Sequence, residues 1–182
     1  MFIQTEDTPN PMTLKFIPGT KVLPNDTAEF NVSSDNINSP LARSLFKIDG
    51  VNCIFLGDDF ISVTKSDEDD WFSLKPQILA EIMSFFSSGQ KIIDADSNDK
   101  INIENESDIS KQIRELIDTR VRPAVAMDGG DIVFHSFEDG VVSLEMRGAC
   151  NGCPSSTATL KMGIENMLKH YIPEVKEVVP KQ

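Results

Sequence analysis

The stretch MDGGDIVFHSFEDGVVSLEMRGACNGCP, residues 127–154, contains the strongest structural signals in the second half of the chain. The glycine pair within 128–130 predicts a turn, because glycine accepts the positive φ angles that other residues resist. Apolar residues then alternate with polar ones, which predicts two strands over 131–137 and 141–147. Pro154 suits the first position of a helix, where its missing N–H leaves no intrahelical partner unpaired. A helix is also predicted before residue 127. This half of the chain is therefore predicted to have the order helix, strand, strand, CxxC loop, helix.

The whole sequence predicts two small α+β domains joined by a polar linker. Residues 94–106 are rich in Asp, Asn, Ser and Glu and have no aromatic residue, so they predict a linker that buries little apolar surface. Residues 1–93 then form an N-terminal α+β domain. Residues 107–182 form a C-terminal domain of α-β-β-α order. A length of 182 residues is sufficient for two such domains.

Within the first domain, the apolar pattern predicts a strand at 12–17, a hairpin of strands at 51–56 and 60–64, and two helices. A short helix follows Ser39, and a longer helix covers about 73–87 with Pro76 in its first turn. In the second domain, Ser107 predicts the start of a helix that Pro123 ends. A short final strand is expected at 175–179.

Charge and composition exclude several classes of protein. The formal net charge of −12 opposes binding to phosphate backbones, so we expect no nucleic-acid partner. No apolar run is long enough to cross a bilayer, so we expect no membrane partner either. The start of the sequence lacks the pattern of a secretory signal, and three cysteines do not make a disulfide framework. We therefore expect a reducing compartment: the bacterial cytoplasm, which Met1 favours, or the mitochondrial matrix if the chain is a processed mature form.

The residues with the clearest chemistry are Cys150 and Cys153, which lie two apart in a loop between a strand and a helix. This spacing lets two thiolates bind one metal centre or close a small disulfide ring. The N–H groups of the following helix lower the pKa of nearby thiols and offset the charge of an anionic ligand. Iron–sulfur clusters and structural zinc usually take four ligands. The two that are missing come most simply from a second copy of the chain, and four thiolates suffice for one [4Fe–4S] cluster.

Two other readings of this pair stay open: a thioredoxin-like redox pair, and half of a structural zinc site. Other candidate ligands are weaker. Cys53 lies in an apolar strand pattern and is expected to be a buried structural residue. His135 lies on a predicted strand and could face the loop, whereas His170 lies near a helix end. Asp128 is expected to close a turn and Asp131 to serve local hydrogen bonding, rather than the two forming a carboxylate pair for acid–base work or hard-metal binding.

Several segments resemble a known family. MDGGDIVF followed by RGACNGCPSSTATLKMGIENML resembles the C-terminal domain of NifU-type proteins, the Nfu iron–sulfur cluster carriers. IQTEDTPNPMTLKFIPG, SPLARSLFKIDGV, FLGDDFISVTK and WFSLKPQILAEIM resemble the N-terminal domain of the Nfu subfamily. The resemblance implies that Cys150 and Cys153 bind a [4Fe–4S] cluster shared between two subunits, which is passed to apo-proteins. The further cysteine-rich domains of longer members have no match here, which favours a carrier over a first-stage scaffold.

The sequence therefore predicts an iron–sulfur cluster carrier rather than an enzyme. Its expected partners are a second copy of the chain, an upstream cluster donor and apo-proteins that receive the cluster. The N-terminal domain shows no evident ligand set and is expected to recognise these clients or donors. The main alternative is a thiol–disulfide oxidoreductase, in which Cys150 attacks and Cys153 resolves.

Overall fold

The computed structural model describes residues 1–94, 107–151 and 154–181, and at 154–156 it describes the backbone alone. The chain divides into two compact units, residues 1–99 and 100–182. The expected linker lies outside the described residues except for Asp94. The domain boundaries at 93/94 and 106/107 therefore stay predictions.

The N-terminal unit is a five-stranded antiparallel sheet with two helices, in strand order β1-β2-β5-β4-β3. Its elements are β1 (Gln4–Asp7), β2 (Thr13–Ile17), β3 (Ala28–Asn31), α1 (Pro40–Leu45), β4 (Val51–Leu56), β5 (Ile61–Lys65) and α2 (Trp71–Ser88). The apolar sides of the strands and both helices share one core, to which α2 contributes Leu74, Ile78, Ile82 and Phe85. These four recur at helical spacing, so one face of α2 is buried.

Capping residues set the ends of these helices. The Ser39 hydroxyl accepts the Ala42 N–H at 3.2 Å, at the start of α1. A carboxylate oxygen of Asp70 accepts the Ser73 N–H at 3.0 Å at the start of α2. Gly89, with φ 67°, ends α2 in the left-handed conformation that glycine adopts most readily. The expected mixture of strands and helices is confirmed.

The C-terminal unit packs three helices and a π turn on a three-stranded sheet. Its elements are α3 (Asp108–Leu116), the π turn (Ile117–Val121), α4 (Arg122–Met127), β6 (Gly130–Glu138), β7 (Val141–Gly148), α5 (Pro154–Tyr171) and β8 (Glu177–Pro180). Strand order is β6-β7-β8, with β6 antiparallel to β7 and β8 parallel to β7. A second core joins these elements and includes Cys150.

The prediction that Pro123 ends the first helix of this unit was wrong. The helix widens into the π turn, in which the Arg122 N–H donates to the carbonyl of Ile117, five residues back. The chain then continues as α4, and Pro123 lies in the first turn of that segment. In the first turn of α4, the N–H that Pro123 lacks would have no partner within that helix. Pro123 therefore does not stop the helical path, which extends to Met127.

The start of α2 also differs from the prediction. Because Asp70 caps the helix, α2 begins at Trp71, and Pro76 lies inside it rather than in its first turn. Pro76 has no N–H to donate to the carbonyl of Phe72, four residues earlier.

Among the described residues, no helix is both long and apolar enough to span a membrane.

Candidate metal centre

The candidate site lies at one end of the β6–β7 hairpin. The opposite end is a two-residue turn, Asp139-Gly140, with φ angles of 52° and 85°. At the site end, Gly130 pairs with Gly148, whose φ of 65° turns the chain out of β7. The Ala149 N–H then donates to the carbonyl of Gly129 at 3.2 Å. Backbone contacts between glycines therefore set the position of the residue that follows, Cys150.

Cys150 is buried, with 5% of its surface exposed, and belongs to the core of this unit. Its Sγ lies only 2.6 Å from the point where a Cβ atom on Gly130 would stand. The same point is 2.8 Å from the carbonyl oxygen of Arg147 and 3.1 Å from the Cys150 nitrogen. The thiol therefore occupies space that exists because residue 130 has no side chain. The sequence predicts a turn at the glycine pair. The structure shows that Gly130 also leaves the space that the Cys150 thiol fills.

Cys153 lies outside the described residues, so the convergence of Cys150 and Cys153 on one metal stays a prediction. The backbone of α5 begins at Pro154, directly after the loop. The Thr157 hydroxyl donates to the carbonyl of Cys150 at 3.5 Å, which joins the first turn of α5 to the loop. A helix N-terminus carries a partial positive charge, so this position favours thiolates and an anionic ligand.

An ion pair between a buried carboxylate and a half-buried arginine supports the strand that carries Gly130. Asp131, 3% exposed, accepts two hydrogen bonds from the guanidinium of Arg122, at 2.8 and 2.9 Å. These bonds hold the pKa of Arg122 above its usual value, and Asp118, at 3.3 Å, adds to the effect. The expectation of local hydrogen bonding by Asp131 is confirmed. Its partner was missed because Arg122 stands before Pro123, where the sequence predicted the end of a helix.

His135 faces a neighbouring carboxylate on the hairpin. Its Nε2 lies 2.6 Å from Glu145, and Arg147 donates to the same carboxylate at 2.8 Å. Burial by itself raises the pKa of Glu145, but the hydrogen bonds from Arg147 and His135 outweigh it and keep that pKa low. Glu145 therefore balances much of the positive charge of Arg147, the residue that precedes the cysteine loop.

The remaining ligand candidates lie elsewhere. Cys53 is half-buried on β4 in the N-terminal unit, and burial, with the charge of Glu29, raises the pKa of its thiol to about 12. The His170 ring packs edge-on against Tyr171 at 5.1 Å between centroids. Within residues 1–94, 107–151 and 154–181, no three His, Cys, Asp or Glu side chains are placed to hold a metal ion together. The sequence predicts Cys150 and Cys153 as the site residues, and the described part of the chain includes only Cys150 of these two.

Comparison with known proteins identifies both units. The family described as "Scaffold protein Nfu/NifU N terminal" matches residues 3–89, and the "NifU-like domain" family matches residues 113–179. A human protein named "NFU1 iron-sulfur cluster scaffold homolog, mitochondrial" is 51% identical over 180 residues. The 180 aligned residues cover 98% of this chain and 71% of the human protein. "NifU-like protein 4, mitochondrial" from Arabidopsis thaliana is 50% identical over 98% of this chain and 65% of its own length.

Among solved structures, a NifU-like protein from Saccharomyces cerevisiae is 28% identical, with a TM-score of 0.47, over 51% of this chain and 84% of its own. The names of the human and Arabidopsis relatives support the mitochondrial alternative. They give no support to the expectation of a bacterial cytoplasm. The matches to both domain families and the identity to the human relative show that the chain belongs to the Nfu/NifU family of scaffold proteins.

Proposed function

We propose that the chain is a carrier of iron–sulfur clusters. Two copies hold one [4Fe–4S] cluster as cargo, through Cys150 and Cys153 of each copy, and transfer it to apo-proteins. The observation that carries the proposal is the position of Cys150 at the junction of hairpin and helix, in a chain whose relatives are named iron–sulfur cluster scaffolds. We infer that the chain is not an enzyme, because transfer by ligand exchange requires no general base.

The number of ligands supports the sharing of the cluster between two copies. A [4Fe–4S] cluster takes four cysteine thiolates. One CxxC loop supplies two, and the described residues provide no neighbouring group of His, Cys, Asp or Glu that could complete the set. A two-fold axis through the cluster supplies the other two thiolates from an identical loop.

The burial of Cys150 has a consequence for loading and release. A residue that is 5% exposed has its sulfur inside its own core, where it is out of reach of a cluster shared with another chain. Loading therefore requires the thiol to turn outward or the loop to move. When the cluster departs, the sulfur returns to the space beside Gly130, and this burial stabilises the empty carrier. The same contact that protects the empty loop thus favours release of the cargo.

The proposal is tested by anaerobic reconstitution with iron and sulfide. Cys150→Ala and Cys153→Ala are each expected to abolish cluster binding while the far-ultraviolet circular dichroism stays that of the wild type. Cys53→Ala is the matched control and is expected to load a full cluster, because the Cys53 thiol is half-buried in the other unit with a pKa of about 12. A full cluster on Cys150→Ala would overturn the ligand assignment. Activity of the iron-free chain in thiol–disulfide exchange, lost in the same variants, would favour the oxidoreductase instead.

The N-terminal unit is assigned the recognition of clients or donors, because it has a core of its own and lacks a cluster of ligand residues among its described side chains. Deletion of residues 1–93 is expected to leave cluster binding intact and to slow transfer to some clients. The assay follows the activation of several purified apo-proteins by the loaded carrier. Equal transfer by the truncated and complete chains to every client would contradict this role.

A further inference from the structure

The outer face of α2 presents a line of apolar side chains to solvent. Phe72 is 93% exposed and Met83 is 44% exposed, although both belong to a regular helix. Pro76 is exposed between them, and Leu79 is half-buried. At 100° per residue, these four residues fall within about 60° of one another around the helix axis. We call this line of Phe72, Pro76, Leu79 and Met83 the α2 stripe.

The α2 stripe lies beside the face that packs into the core, and only its half-buried member, Leu79, touches the edge of that core. Leu74, Ile78, Ile82 and Phe85 fill the core from another side of the same helix. From Phe72 to Met83 the stripe extends for eleven residues, which is about 16 Å of helix. Single exposed apolar residues are common on protein surfaces, but a continuous line of them marks an interaction site. This geometry suits a partner segment that presents its own apolar face.

One end of the stripe is acidic. Asp67, Glu68 and Asp70 are exposed immediately before α2, and Asp69 is half-buried there. From residue 67 to residue 88 the sequence has five acidic side chains and one basic side chain, Lys75. Asp70 caps the helix, so the backbone fixes this charge at the end where Phe72 lies. A partner that covers Phe72 therefore meets negative charge beside an apolar contact.

We propose that the α2 stripe is a docking surface for a protein segment with an apolar face and Lys or Arg residues at one end. The basic residues lie against the carboxylates of 67–70, and the apolar face covers the stripe. A second copy would offer the same segment, which has one basic residue against five acidic ones, and an anionic lipid surface would repel the carboxylates, so charge favours a basic partner over either. That this partner is a client or donor of the cluster rests on the proposed function; the docking itself does not.

The test uses three synthetic peptides labelled with fluorescein and titrated with the complete chain. The first is an amphipathic helix with three lysines at one end. In the second, glutamates replace the lysines, and in the third, serines replace the apolar residues. We expect the first peptide alone to bind by fluorescence anisotropy, more weakly at high salt, with backbone amide NMR shifts centred on residues 72–83.

Two variants decide whether the stripe is responsible. Phe72→Ser combined with Met83→Ser is expected to weaken binding of the first peptide at least about tenfold, since two apolar contacts are lost. Phe2→Ser is the matched control, because Phe2 is 84% exposed outside any strand or helix, and it is expected to leave affinity unchanged. Equal affinity of the double variant and wild type would overturn the proposal. Equal binding of the glutamate peptide would do the same.

Two further outcomes separate this proposal from its rivals. Sedimentation that shows wild-type self-association, lost in the double variant, would assign the stripe to a second copy and overturn the proposal. The double variant is expected to reconstitute as much cluster as the wild type, and a failure to do so would place α2 in cluster binding instead. If the wild-type chain itself binds no cluster, the proposed function fails and the peptide result is unaffected.

Discussion

Replacing Gly130 by Ala tests whether the space beside this residue is what allows Cys150 to take its position. An added Cβ would stand 2.6 Å from the Cys150 Sγ, where carbon and sulfur atoms in contact require about 3.5–4.0 Å. The sulfur would have to move by about 1 Å or more. Two of the three close contacts are backbone atoms, the Arg147 oxygen and the Cys150 nitrogen, so side-chain rotation relieves only part of the overlap. The loop itself must shift.

The expected cost is that of an overpacked core, about 1–3 kcal/mol in the free energy of unfolding. For a unit of this size, that lowers its unfolding temperature by roughly 4–24 °C. Because the empty chain then has no room for the buried Cys150 thiol, Gly130→Ala is also expected to retain its cluster longer than the wild type after reconstitution. Thermal unfolding by circular dichroism and the iron content after desalting measure the two effects.

Gly163→Ala is the matched control, because a Cβ on Gly163 in α5 would meet no atom within 4 Å. Alanine favours a helix over glycine by about 0.5–1 kcal/mol, so this variant is expected to be as stable as wild type or more stable, and to load normally. The two Gly→Ala changes therefore act in opposite directions. A Gly130→Ala chain with wild-type unfolding temperature and wild-type cluster retention would refute the role assigned to the space beside Gly130.

Three further predictions follow from side-chain contacts. Asp131→Asn is expected to destabilise the chain by about 1–3 kcal/mol in urea unfolding, because it weakens two charge-assisted hydrogen bonds to Arg122, and unchanged stability would contradict this. Glu145 has a folded-state pKa below its usual value of 4.5, so its stabilising effect is present above that pH and is lost as the pH falls below it. Glu145→Gln should therefore lose less stability than wild type between about pH 6 and pH 3.5, and equal losses would show that these bonds do not matter. With a pKa of about 12, the Cys53 thiol should react slowly with iodoacetamide at neutral pH in the folded chain and quickly in urea, and rapid folded-state modification found by peptide mass spectrometry would contradict the burial of this thiol.

Much of the fold could be predicted from local signals in the sequence. Ser39-Pro40 marks the start of α1, and the apolar spacing predicts most of α2 and α5. The turn at Asp139-Gly140 fixes the hairpin that carries the cysteine loop. In each case one or two residues have a strong conformational preference, and the surrounding packing agrees with it.

The two edge strands of the N-terminal sheet were missed for a physical reason. β1 has the sequence QTED, with no buried residue, and β3 has four residues of which Phe30 alone is buried. β1 has no apolar residue, and β3 alternates over four residues only, which is the shortest run that identifies a strand. Each forms because a neighbouring strand offers its N–H and C=O groups, which the sequence of the edge strand does not reveal.

The sequence predicts the chemistry of the candidate site but not its geometry. The CxxC spacing identifies Cys150 and Cys153 as candidate ligands, because those residue types bind metal. The burial of Cys150 beside Gly130, and the pairing of Arg122 with Asp131, depend on contacts between separate elements. The π turn that brings Arg122 into reach has no sequence signature comparable to a cap or a glycine turn.

Native mass spectrometry of the chain reconstituted without oxygen shows whether two copies share one iron–sulfur cluster. We predict a species with the mass of two chains plus four iron and four sulfide atoms, and single chains only when Cys150 or Cys153 is replaced. A metal-free single chain with an internal Cys150–Cys153 disulfide would contradict cluster sharing and favour redox chemistry. A dimer that holds zinc in place of iron and sulfide would contradict it as well.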